Sequence, residues 1–165
     1  MRFIGKTIAA IVSSAVLITA APTIAHERIG TERVSTQSRA AAAAPQSAIR
    51  MVSSIRQQRG LPALRHDPRL DRAAAMHARD MASRRFFSHR GSNGSRAFHR
   101  VRASGYNACY AAENIARGPS TAQQATQVWM RSSGHRKVIL SRKSVAAGVA
   151  MAPGNYWVMV FARPC

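Results

Sequence analysis

The chain predicts an α+β fold. Up to about residue 140 most apolar side chains recur at helical spacing, whereas from Val145 onward they alternate in and out around a single turn. Helices early and strands late, with one extended stretch between them, pack best as helices on a mainly antiparallel central sheet.

The first 25 residues read as a secretory signal. Arg2 and Lys6 form a basic start, Ile8 to Ala21 is an apolar run too short for an ordinary membrane span, and Thr23 and Ala25 suit a cleavage site after Ala25. Residues 26–45 keep no apolar period and end in the alanine run Ala40–Ala44, the composition of a flexible linker. Residues 46–165 make one domain of about 120 residues, enough to bury roughly 65% of its unfolded surface.

Within the domain, Ala48, Met51, Val52 and Ile55 predict a helix over 47–59, with Gly60 as its stop. Asp67 caps a second helix and Pro68 takes its first position. Leu70, Ala73, Ala74, His77, Ala78 and Met81 form its inner stripe, and it ends near Arg84 or Arg85. On that stripe His77 reads first as a hydrogen-bonded core histidine, held in reserve for a site. Residues 90–95 are a loop by composition. A short helix over 96–103 follows, with Phe98, Val101 and Arg102 at helical spacing. Cys109 to Ala116 reads as extended. Ser120-Thr121-Ala122-Gln123 opens a helix with Ala122, Ala125, Val128 and Trp129 inward, which Gly134 breaks. Val145 to Met151 and Tyr156 to Ala162 form a hairpin around Pro153-Gly154-Asn155.

The formal charge is +19, and loss of Arg2 and Lys6 with a signal would leave +17. An exported protein this basic meets anionic envelope components: lipopolysaccharide, peptidoglycan or lipid head groups, the last as a peripheral membrane contact. No helix-turn-helix, zinc-finger or RNP-like pattern points to nucleic acid. Cys109 and Cys165 are the two cysteines. In a secreted or periplasmic chain such a pair reads as a disulfide, with two free thiols as the alternative. Neither has a neighbour at metal-ligand spacing.

Three residues carry the candidate chemistry. Glu113 is the sole glutamate after Glu32, and it lies between His89 and His135 in patches with no other acid. Two imidazoles and a carboxylate are the minimal set for a zinc ion with an open position, or for an acid–base cluster. Scattered core and surface histidines are the competing reading, since no local spacing such as H-E-x-x-H is present.

Phe86-Phe87-Ser88-His89, Ala112-Glu113-Asn114-Ile115-Ala116 and Trp129-Met130-Arg131-Ser132-Ser133-Gly134-His135-Arg136 stand in that order. Arg59-Gly60-Leu61-Pro62 and Asp67-Pro68-Arg69-Leu70 precede them, and Tyr156-Trp157 with Val160-Phe161 follow. The series resembles the bacterial, SCP-like extracellular branch of the CAP superfamily (cysteine-rich secretory proteins, antigen 5 and pathogenesis-related proteins). The resemblance implies a three-layer α-β-α sandwich with a central cavity. It puts His89 and Glu113 at the first histidine and first glutamate of that cavity. The positions of the second glutamate and second histidine fall on Ser132 and Tyr156, leaving His135 as the nearest substitute. The function implied is a secreted binding module. A metal-assisted hydrolase using Glu113 with His89 and His135, and a cationic adhesion or antimicrobial protein, are the alternatives. With Zn²⁺ on His89, Glu113 and His135, the incomplete set predicts weak binding that fades below about pH 6.5 as the histidines protonate.

Overall fold

The structure is a computed structural model and describes residues 45–165. The expected signal segment, and the expected linker apart from residue 45, lie outside the described residues.

The described chain starts in helix α1, residues 45–57, so Pro45 already belongs to the helix. Its buried side is Ala48, Ile49, Val52 and Arg56, a stripe turned away from the expected Met51 and Ile55, which are half-buried. Arg56 turns it. Its guanidinium donates to the carbonyls of Pro62 (2.9 Å), Ile139 (2.7 Å), Ser141 (2.9 Å) and Ser144 (3.0 Å). No carboxylate balances it among the described residues, and burial lowers its pKa from the usual value. Gly60 closes the turn after α1 with φ +67°, the left-handed conformation glycine adopts most easily.

Strand β1 (Arg65–His66) leads into helix α2 (Pro68–Ser83). The Asp67 side chain accepts from Arg69 N at 3.0 Å, as an N-cap does, and the six expected inner residues are the buried ones. Helix α3 is Ala97–Ala103. Here the inward residues are Arg100 and Val101, while Phe98 and Arg102 are exposed, because Arg100 has an ionic partner inside. Strand β2 is Ala108–Arg117, and helices α4 (Ala122–Arg131) and α5 (Ser133–Ile139) follow. The α4 cap is Thr121, which accepts from Gln124 N, so the helix is capped one residue later than the sequence predicts. Thr126 is buried and Val128 is exposed. The helical run breaks at Ser132, whose backbone is extended (ψ 124°). Gly134 lies inside α5 and its backbone is not left-handed.

Strands β3 (Ala146–Ala152) and β4 (Tyr156–Pro164) form the expected hairpin. Among the described residues they belong to a four-stranded sheet in the order β1-β3-β4-β2. The sheet is mixed: β1 runs parallel to β3, and the other pairs are antiparallel.

β4 is buried on both faces. Tyr156, Val158, Val160 and Ala162 pack with α2 and α3, whereas Trp157, Met159 and Phe161 pack with α1, α4 and α5. Alternate side chains of one strand therefore feed two cores, which makes the three layers of an α-β-α sandwich. A Cys109–Cys165 disulfide closes a loop across 56 residues and pins the end of β4 to the start of β2. In the chain-entropy account such a loop contributes about 4 kcal/mol.

Candidate functional site

Glu113 lies in β2 opposite Val160 of β4, on the same face as Ile115, toward α2 and α3. Its side chain is 2% exposed. An unpaired carboxylate there would cost several kcal/mol, and Arg100 of α3 supplies the counter-charge: Nη2 donates to Oε2 at 2.7 Å. Arg100 also donates to the carbonyls of Ser95 (2.8 Å) and His89 (3.2 Å), so one guanidinium ties the loop before α3 to the carboxylate.

The other oxygen, Oε1, accepts from His89 Nδ1 at 2.9 Å. This leaves His89, whose side chain is 57% exposed, with Nε2 as its unengaged nitrogen among the described residues. His77 of α2 is fully buried, with Nε2 3.7 Å from the same Oε1. That nitrogen donates to the Ser88 carbonyl at 2.8 Å. Burial pushes the His77 pKa down, against the pull of Glu113, so the ring is read as neutral and its approach to Glu113 as a contact rather than an ion pair. His77 is thus the core histidine, and it backs Glu113 from inside the core.

Asn114 points to the opposite face and donates to the His135 carbonyl of α5 at 3.1 Å. His135 is half-buried, and burial, then the nearby His89, lowers its pKa. His89, Glu113 and His135 all line one cavity of about 750 Å³. The rest of its wall includes Phe87, Arg90, Arg96 and Val138.

The donor set does not suit a zinc ion held directly by Glu113. Each carboxylate oxygen already accepts one hydrogen bond, from Arg100 or from His89, and the guanidinium already balances the charge a cation would need. Among the described residues no group of three histidine, cysteine, aspartate or glutamate side chains is arranged to hold a metal ion. The guanidinium on Oε2 and the imidazole N–H on Oε1 both stabilise the ionised carboxylate, which makes Glu113 a weak base toward a substrate. Sequence reasoning missed Arg100. Its signal was indirect: a lone glutamate in so basic a chain needs a cation once buried, but Arg96, Arg100 and Arg102 were equally eligible.

Residues 49–161 match the CAP family, described as the cysteine-rich secretory protein family. The uncharacterized protein YkwD of Bacillus subtilis (strain 168) is 31% identical over 114 residues, covering 68% of this chain and 44% of that protein. An extracellular protein containing an SCP domain from Bacillus anthracis strain Ames superposes with a TM-score of 0.69 at 28% identity, over 72% of this chain and 40% of the other. An outer surface protein of Borrelia burgdorferi gives a TM-score of 0.67 at 16% identity, over 73% and 92% of the two chains, a likeness of fold alone. The present chain thus spans less than half the length of the Bacillus proteins it matches. With the family match running from α1 to β4, and these folds superposing on the same sandwich, this chain belongs to the CAP family of cysteine-rich secretory proteins.

Proposed function

We propose that this protein is an extracellular or envelope-facing binding module whose cavity receives anionic groups of envelope components. The observation that carries the reading is the state of Glu113. Its charge is matched by Arg100 and its second oxygen is held by His89. What the cavity offers a ligand is therefore not an unbalanced negative charge but Arg90, Arg96 and two imidazoles. That supports binding over hydrolysis. The phosphates of lipopolysaccharide or phospholipid and the carboxylates of peptidoglycan share the chemistry such a wall attracts. The outward location is supported by the Bacillus anthracis relative, described as extracellular. No helix among the described residues is long and apolar enough to cross a membrane.

Sedimentation with phosphatidylglycerol vesicles tests the reading, and lipopolysaccharide micelles serve as the second probe. Affinity should fall steeply when salt rises from about 0.05 to about 0.3 M, as the Debye length shrinks to well below about 10 Å. The double variant Arg90→Ser, Arg96→Ser should bind about tenfold more weakly at the lower salt. Affinity indifferent to salt, or equal in the double variant, would remove the cavity rim from the account.

A further inference from the structure

β2 is an edge strand, paired only with β4 among the described residues. Its register with β4 runs without a shift from Tyr110↔Arg163 to Arg117↔Tyr156, and Gly118 N–H continues it by donating to the Asn155 carbonyl at 3.1 Å. In an antiparallel ladder, residues that exchange backbone bonds alternate with residues whose N–H and C=O turn away. Gly118 and Asn155 stand at a bonded position. Counting back by twos, Ala116, Asn114 and Ala112 face β4 with their main-chain groups. Ile115, Glu113 and Ala111 turn theirs outward, away from the sheet.

These outward groups have no backbone partner among the described residues. Yet Ile115 and Glu113 are only 5% and 7% exposed. Main-chain donors and acceptors so little exposed are nearly always paired. Both residues line the 750 Å³ cavity, whose wall also carries Arg90 and Arg96. An unpaired strand edge, a cavity alongside it and a basic rim coincide.

We propose that the cavity takes an extended, carboxylate-bearing peptide segment, which adds as a strand beside β2. Its backbone exchanges hydrogen bonds with Ala111, Glu113 and Ile115, a stretch of about 13 Å at the rise of a β-strand. Main-chain bonds supply affinity in this mode, and pockets for alternate side chains supply selectivity. Acidic side chains meet Arg90 and Arg96, and an apolar one meets Phe87, which is 48% exposed. The proposal rests on reading this cavity as a binding site and goes beyond it by naming an extended chain, rather than a head group, as what enters.

The probe is a capped seven-residue peptide alternating valine and glutamate, followed by fluorescence anisotropy with the intact chain. Its comparison peptides carry N-methyl groups on alternate residues, in either of the two phases. Charge is the same in all three. One phase should bind about tenfold more weakly than the parent, consistent with the loss of one or two backbone bonds, while the other stays close to it. Ala111→Pro removes only an outward N–H, a substitution edge strands accept, and should weaken the parent peptide severalfold at unchanged melting temperature. If that variant melts early, the methylated peptides still decide. No binding of the parent peptide, or equal binding of both methylated forms and the parent, overturns strand addition. Vesicle binding that persists in that event leaves the envelope reading intact. Peptide binding of the expected pattern without vesicle binding removes the envelope reading and keeps this one.

Discussion

Glu113 survives in the interior because each oxygen has a donor, and the decisive one is charged. The side chains of Glu113 and Arg100 are 2% and 5% exposed. Breaking such a buried pair from one side leaves the other charge uncompensated. Glu113→Ala and Arg100→Ala should each lower stability by about 3–5 kcal/mol, and the double variant should lose clearly less than their sum. Urea unfolding of the four proteins, with the disulfide intact, makes the comparison. Additive losses would mean that each residue acts alone. Arg56 presents a different solution to the same problem: among the described residues its partners are four carbonyls.

At the scale of elements, the approach of α2 to β3 sets the spacing of one core. A Cβ on Gly148 would run into the backbone at Leu70 and Asp71. The Asp71 carboxylate bonds back to Val149 N–H at 2.8 Å, satisfying a donor that the two-residue β1 does not reach. Gly148→Ala should therefore cost about 3 kcal/mol or more, at the top of the range for overpacking, because helix backbone cannot swing aside. Gly134 gives the contrast. It sits in α5 with nothing near the place of a Cβ. Gly134→Ala should stabilise by about 0.5–1 kcal/mol through helix propensity. Thermal melts of the two variants check both directions. A harmless Gly148→Ala would mean that the helix and sheet are less tightly set.

For the whole molecule, pH acts through the buried histidines. The pKa values of His77 and His135 are lowered from 6.5 in the fold, chiefly by burial. The unfolded chain then takes up protons first as pH falls through about 6.5, so stability declines from there down to the lowered folded values. Asp67 acts lower on the scale. Its bond to Arg69 holds its pKa under 3.8, and its contribution is lost only as pH falls through that region. Denaturation midpoints should thus drop between about pH 7 and pH 5, where the carboxylates are still ionised. His77→Gln should flatten that slope even if it lowers the midpoint at neutral pH. A flat profile in the parent would mean that protonated His77 is accommodated beside Glu113.

Much of this protein was legible in its residues. Asp67-Pro68 and the stripe from Leu70 to Met81 specify α2, and the alternation after Val145 specifies the hairpin, because a local period reports directly which side of an element faces water. His89 and Glu113 stood out by their rarity and their setting, and they meet at 2.9 Å. Local pattern could not say which of 25 lysines and arginines go inside. Arg56 and Arg100 are buried only because folding brings distant carbonyls and one carboxylate to them. The parallel β1–β3 pair likewise depends on a partner far away in the chain. The outward turn of the Ala111, Glu113 and Ile115 backbone depends on register, which exists only once β2 has met β4. Burial pattern is written residue by residue, whereas charge pairing and register belong to pairs of segments that the chain joins only in three dimensions.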